Sequence, residues 1–132
     1  MSARASTAES QAGTGAGATV NGIALPYPHK ALWPNGRAHY MTKAREVKKH
    51  RQWAAIATKA APIRLGDSPI PVHIVCHPKK GSVNPDCDNI VAASKAYIDG
   101  IAAALGVDDR HFAAPTVEVS GERTGQFIIT IG

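Results

Sequence analysis

The middle of the chain constrains its fold most, because it predicts a strand and a helix in succession. Ile70–Cys76 is rich in β-branched residues, which favour strands, and Pro71 restricts that strand to its start or to a sheet edge. After a polar turn that starts at His77, apolar residues at helical spacing predict a helix over Ala92–Leu105, and Gly106 occupies the usual position of a helix-terminating glycine. The predicted apolar stripe of this helix consists of Ile98, Ile101, Ala102 and Leu105.

The flanking segments complete an α+β pattern. Residues 1–18 are mostly Ala, Gly, Ser and Thr, which bury too little apolar surface to offset the entropy of ordering, so we predict a disordered tail there. We expect helices packed on a small mixed sheet, in two layers and in the order β-α-β-α-β-β, forming one domain over residues 19–132. The further predicted elements are a strand at Thr19–Leu25, ended by Pro26, a helix at Thr42–Ala61 with Thr42 as its N-cap, and strands at Thr116–Ser120 and Gln126–Ile131.

Composition limits the functional classes. The formal net charge is +5, and residues 27–64 contain nine Lys and Arg but a single acid, Glu46, an asymmetry that favours contact with nucleic acid. The sequence contains no run of about 18 apolar residues, so no membrane span is predicted. The N-terminus lacks the apolar core of a signal peptide. We therefore expect a cytoplasmic protein with no membrane partner. Cys76 and Cys87 are expected to be free thiols in a reducing compartment.

Two basic segments lie in the first half of the chain. A loop around the turn sequence Pro34-Asn35-Gly36 places cations beside aromatic rings, which is typical of nucleic-acid contact, while the alternative is an ordinary loop whose Trp33 covers the core. In the predicted helix that follows, four cations spread over about 160° of the helix surface, which indicates either a DNA-binding face or a solvated one. The four are Arg45, Lys48, Lys49 and Arg51. The predicted DNA-binding residues are Asn35, Arg37, His39, Lys43, Arg45, Lys48, Lys49 and Arg51, and the predicted core stripe is Val47, Ala54, Ala57 and Ala61.

Five aspartates fall between residues 86 and 109, and Lys95 is the only cation among them. Like charges held close together repel, and a divalent cation such as Mg²⁺, which takes carboxylate oxygens, is the commonest reason for such a group. In a basic protein this pattern predicts phosphodiester chemistry on nucleic acid. The alternative is that Asp86 and Asp88 only form a turn and an N-cap. The five are Asp86, Asp88, Asp99, Asp108 and Asp109.

Helical geometry relates these residues further. Lys95 and Asp99 are four residues apart and share a helix face, and a helix that began as early as Asp88 would place all three within about 40° of one line. Asp108 and Asp109 follow the opposite end of the helix, so they join the first two aspartates only if the fold brings the segments together. A zinc site is a further alternative, although the spacing lacks the usual ligand pairs. Its candidate ligands are Cys76, His77, Cys87 and His111.

Three spaced segments carry a family resemblance. They are Asp86-x-Asp88-Asn89, then Lys95-Ala96-x-x-Asp99-Gly100, then Gly106-Val107-Asp108-Asp109. Together they resemble the RusA-type Holliday-junction resolvases, also called crossover junction endodeoxyribonucleases. The resemblance covers about Leu25 to Val119 and includes the N-terminal loop of the family, especially in its phage-encoded members. The loop residues concerned are Leu25-Pro26-Tyr27-Pro28, Pro34-Asn35-Gly36-Arg37 and His39.

The resemblance implies a Mg²⁺-dependent homodimer, with Mn²⁺ as a substitute, that resolves four-way DNA junctions by paired symmetric nicks in DNA recombination and repair. In some members the lysine follows the second aspartate by four residues, where this chain has Ala92, whereas Lys95 keeps the family spacing to Asp99. A non-catalytic basic DNA-binding protein, whose aspartates only cap and turn, is the alternative function. The implied catalytic residues are Asp86, Asp88, Asp109 and Lys95, and the three aspartates are the implied metal ligands.

Overall fold

The chain packs helices against one face of a four-stranded mixed sheet. This computed structural model describes residues 22–35, 37, 39–61 and 63–132. The elements within those residues are β1 (Gly22–Pro26), a 3₁₀ helix (Lys30–Leu32), α1 (Tyr40–Ala60), β2 (Val72–His77), α2 (Cys87–Leu105), a second 3₁₀ helix (Asp109–His111), β3 (Thr116–Val119) and β4 (Gln126–Ile131). Apart from the two short 3₁₀ helices, this order confirms the predicted β-α-β-α-β-β succession.

The sheet order is β1-β4-β2-β3, with β2 and β3 parallel and the other neighbours antiparallel. Alternate residues of β2 and β4 are buried, because successive side chains of a strand point to opposite faces. Ile74 on β2 and Ile129 on β4 are paired and fully buried, and Tyr97 and Ile101 of α2 belong to the same core. The helices thus cover one sheet face, which confirms the predicted two-layer α+β arrangement.

The strand boundaries differ from the predicted ones mainly at prolines. Pro26 lies within β1 instead of ending the strand before it, which the sheet tolerates because β1 is an edge strand. Pro71 has no N–H to donate, so β2 begins at Val72 and Ile70 forms only an isolated bridge with Phe112. The predicted tail at residues 1–18 and residues 19–21 of the predicted first strand lie outside the described residues.

The polar turn predicted from His77 onward begins later. His77 is the last residue of β2, where it pairs with Gln126 of β4, and its side chain is buried. The register of the antiparallel ladder holds this residue in the sheet, although a histidine followed by proline and two lysines is typical of a turn. The other two strands lie where they were predicted, with β3 shorter by one residue.

Both helices begin earlier than predicted. Thr42 is not the N-cap of α1; His39 is, and its Nδ1 accepts a hydrogen bond from the backbone N–H of Met41 at 3.2 Å. The second helix begins at Cys87, five residues before the predicted start at Ala92. Its predicted end is confirmed, because Gly106 adopts the left-handed conformation, with φ 71°, that favours glycine after a helix.

The buried stripe of α1 is more polar than predicted. Ala54 is buried as expected, but Val47, Ala57 and Ala61 are only half-buried. Two of the remaining buried positions can be polar because their side chains are hydrogen-bonded: the Thr58 hydroxyl donates to the Ala54 carbonyl at 2.7 Å, and His50 Nδ1 donates to the Glu46 carbonyl. The Glu46 carboxylate is paired with the Lys49 ammonium at 3.2 Å. The buried residues of α1 are Glu46, His50, Ala54 and Thr58.

The two helices approach each other closely at Gly100 of α2. A Cβ at this position would overlap the carbonyl oxygen of Arg51 and lie 3.0 Å from the carbonyl carbon and Cα of the same residue. Glycine therefore allows α2 to lie directly against the α1 backbone. Of the predicted α2 stripe, Ile101 and Ala102 are buried, while Ile98 and Leu105 are half-buried against the core.

Neither helix of the described chain is long and apolar enough to cross a membrane. Cys76 is buried and Cys87 exposed, and both are free thiols, as predicted. Burial raises the pKa of the Cys76 thiol to about 11, which disfavours the thiolate that a zinc ion would require. Within the described residues, no group of three or more His, Cys, Asp or Glu side chains is placed to hold a metal ion, so the zinc alternative finds no support.

Candidate metal and nucleic-acid site

The start of α2 presents two of the predicted metal ligands. Asp86 occupies the N-cap position and Asp88 lies in the first helical turn, and both are exposed. The Asp86 side chain makes no capping hydrogen bond, unlike the usual N-cap aspartate. A negative charge in the first turn is also favourable to the helix dipole, so Asp88 has a structural role as well. The Asp86 carboxylate is thus free to accept other donors or a cation.

Lys95 and Asp99 lie along the same helix face as Asp88. Since α2 begins at Cys87, the three residues fall within about 40° of one line along the helix, as the sequence allowed. The Lys95 ammonium is 3.6 Å from Asp99 Oδ1, with the lysine largely exposed. Lys95 is therefore paired with Asp99. Lys95 itself lies about two helical turns further along α2 than Asp88.

Asp108 and Asp109 lie beyond the other end of α2. Asp108 Oδ1 accepts a hydrogen bond from the backbone N–H of Arg110 at 3.0 Å, and this bond lowers the pKa of the Asp108 carboxyl. Asp108 thus caps the second 3₁₀ helix, which leaves Asp109, the exposed first residue of that helix, as the better candidate ligand.

The length of α2 separates the predicted ligands. Its 19 residues place about 28 Å between the helix ends, and the four steps from Leu105 to Asp109 can return at most about 14 Å of that distance. Asp86 and Asp88 therefore lie together, while Asp109 of the same chain lies at the far end of the helix. Consistently, no three-residue metal group occurs among the described residues.

Arg123 is a residue of this region that the sequence reasoning missed. One terminal nitrogen of its guanidinium donates to Asn84 Oδ1 at 2.9 Å, and the other donates to the Ser82 carbonyl. The loop between β3 and β4, which contains Arg123, thereby holds the loop that leads into α2. No sequence signal identifies this contact, because Arg123 lies 39 residues beyond Asn84.

The predicted DNA-binding residues are almost all exposed. All eight are exposed except Lys49, which is half-buried. The Lys49 ammonium lies 3.2 Å from Glu46 Oε2 and 5.5 Å from the ring centre of Trp53, so part of its charge is already paired. Trp53 and Ile56 are exposed on the same helix and were not part of the prediction. The eight are Asn35, Arg37, His39, Lys43, Arg45, Lys48, Lys49 and Arg51.

A buried histidine fixes the β1–α1 connection against α1. His50 Nδ1 donates to the Glu46 carbonyl at 2.7 Å, and Nε2 accepts from the backbone N–H of His29 at 3.1 Å. Both bonds require a neutral ring with its proton on Nδ1. Burial lowers the pKa of His50, which favours that neutral form. This contact positions the start of the loop that carries Asn35 and Arg37.

Comparison with known proteins places the chain in a family. No family model matches it. It is 36% identical over 117 residues to an uncharacterized protein of Xylella fastidiosa (strain Temecula1 / ATCC 700964), a match that covers 85% of this chain and 76% of that protein. The chain belongs to the family of that protein. The relative's description names no activity, so the resemblance to RusA-type resolvases stays a prediction.

Proposed function

We propose that this protein is a Mg²⁺-dependent endodeoxyribonuclease that resolves four-way DNA junctions. The observation that carries the proposal is the Asp86 side chain, which occupies an N-cap position without capping and lies beside a second exposed carboxylate, Asp88. A carboxylate that makes no capping hydrogen bond has its oxygens available to a cation. The exposed cations of α1 and of the preceding loop supply the complementary surface for a DNA backbone.

Two carboxylates at one helix end fit Mg²⁺, which proteins usually bind through one or two carboxylates together with substrate phosphates. Asp86 and Asp88 would be those ligands, and Mn²⁺ would substitute because it prefers the same oxygen donors. When bound, the metal supplies an activated water and stabilises charge on the attacking and leaving oxygens. Lys95, about two turns along the same helix face, would neutralise charge on the phosphate by turning back toward Asp88, and Asp99 is its ion-pair partner in the free protein.

The homodimer is part of the proposal because of Asp109. Asp109 cannot reach Asp86 and Asp88 of its own chain across α2, so it would complete the metal site only on a second chain. A four-way junction has two-fold symmetry, and paired nicks require two active sites related by that symmetry. A two-fold dimer with composite sites satisfies both requirements.

A mixing experiment tests the composite site. Asp88→Asn and Asp109→Asn are each expected to abolish nicking, whereas equal mixtures allowed to exchange subunits should recover activity. In a mixed dimer one composite site contains both native aspartates, while the other contains neither. If each site were built within one chain, every site in the mixture would lack an aspartate and no activity would return. Light scattering at micromolar concentration should report about twice the chain mass of 13.8 kDa.

A non-catalytic DNA-binding protein is the second candidate. It is favoured by the absence of any three-residue metal group in the described part of the chain. Incubating a synthetic four-way junction and a matched linear duplex with the protein, with and without Mg²⁺, separates the two functions. We expect paired nicks in the junction only, and only with Mg²⁺ or Mn²⁺. Binding to the junction without nicking under any divalent-ion condition would favour the non-catalytic function.

A further inference from the structure

The start of α1 presents an exposed aromatic platform. Tyr40 is 75% exposed, the largest such value among the aromatic side chains of the described chain. The ring of His39 packs on it, with the ring centres 4.5 Å apart and the planes inclined by 32°. His39 is itself held by the helix cap, because its Nδ1 accepts the backbone N–H of Met41. We call His39 and Tyr40 the aromatic platform.

The surroundings of the platform are cationic. Arg37 lies three residues before Tyr40 in the chain, and Lys43 lies three residues after it on the same side of α1. Both are exposed, and the first turn of α1 contains no acid. Glu46 is the only acid between residues 27 and 64, and it is buried beside Lys49. An exposed ring bordered by cations, with no exposed acid nearby in sequence, is complementary to a base whose phosphates lie alongside.

We propose that the aromatic platform binds an unpaired nucleotide of the DNA substrate by stacking on Tyr40, while the adjacent cations contact its phosphates. Bases within a duplex are already stacked on each other, so their faces are unavailable to a protein ring, whereas unpaired bases expose theirs. The inference deepens the proposed function, on which it rests, because the branch point of a four-way junction is where such bases become accessible. In this proposal the aromatic platform holds strands apart at the branch point, while the cations contribute affinity for DNA of any structure.

Binding to oligothymidylate in EDTA tests the platform without requiring nicking. Tyr40→Ala should weaken binding to the single strand about five-fold or more, the usual loss for one stacked base, and should change affinity for a matched linear duplex less than two-fold. Tyr40→Phe keeps the ring and should bind as the native protein does. Met41→Ala, which removes an exposed apolar neighbour, is the matched control and should also bind normally. Arg37→Ala should weaken binding to both DNAs.

Three results would overturn the proposal. The first is that the native protein does not bind the single strand. The second is that Tyr40→Ala loses affinity for the single strand and for the duplex equally. The third is a change in the particle mass of Tyr40→Ala by light scattering, which would indicate that Tyr40 is a dimer contact. The thermal unfolding midpoint of each variant checks the fold. If the single strand binds through Tyr40 but junctions are never nicked, the platform stands and the proposed nuclease fails.

Discussion

Gly100→Ala tests how closely the two helices pack. The new methyl would overlap the Arg51 carbonyl oxygen, and all of the nearest atoms belong to the α1 backbone, which cannot move aside as a flexible side chain would. Overpacking of this kind costs about 1–3 kcal/mol, and we expect the upper part of that range because backbone must shift. Replacing glycine within a helix returns about 1 kcal/mol of propensity. The expected net loss is therefore about 2 kcal/mol.

Urea unfolding followed by tryptophan fluorescence measures this change, and a loss of that size should lower the thermal midpoint by about 8 °C in a domain of this length. The matched control is Gly66→Ala, which has no atom within 4 Å of the added methyl and should leave stability unchanged or slightly raised. A Gly100→Ala protein as stable as the native one would refute the close approach of α1 and α2. It would also remove the reason for glycine at this position of the resolvase-like motif.

Two further predictions concern the groups that position the candidate site. Burial lowers the pKa of His50 below its ordinary value of 6.5, so as the pH falls the unfolded chain takes up this proton before the folded one does, and stability should be lost below about pH 6.5. Urea midpoints at pH 8 and pH 5 should show this loss. The His50→Gln variant should show much less pH dependence. Arg123→Ala should release the Ser82–Asn84 loop and lower Mg²⁺-dependent nicking about ten-fold or more, with only a small shift of the urea midpoint. Arg123→Lys should retain part of the activity. An unchanged nicking rate in Arg123→Ala would exclude a positioning role for Arg123.

Local signals predicted the element order and several boundaries. β4 matches its predicted bounds, and Gly106 ends α2 as its position indicated. The helix starts were harder to predict, because His39 is not among the common N-caps and Asp86 caps without its side chain. The polar stripe of α1 was missed because a pattern that counts apolar residues cannot detect a buried histidine whose hydrogen bonds come from a distant segment.

The candidate site was only partly predictable for a similar reason. Asp88, Lys95 and Asp99 share a face because helical periodicity is local, and the sequence contains that information. The position of Asp109 depends on where the chain goes after α2, and the contact of Arg123 with the loop before α2 depends on the sheet. Contacts between segments that are distant in the chain cannot be predicted from the spacing of residues in a single sequence.

The most direct test of the central claim is the Asp88→Asn variant, assayed for nicking in Mg²⁺ and for junction binding in EDTA. Asp88 is exposed in the first turn of α2, so the nearly isosteric asparagine costs only the helix-dipole contribution of about 0.3–1 kcal/mol and the fold should persist. The substitution removes a charge that we propose binds the metal, and that same charge repels phosphates. We expect nicking to be abolished while junction affinity is kept or increased, and Asp67→Asn, which changes an exposed aspartate between α1 and β2, should nick normally. Nicking by Asp88→Asn at a near-native rate would show that Asp88 is not a metal ligand, and the site built on Asp86, Asp88 and Asp109 would have to be withdrawn.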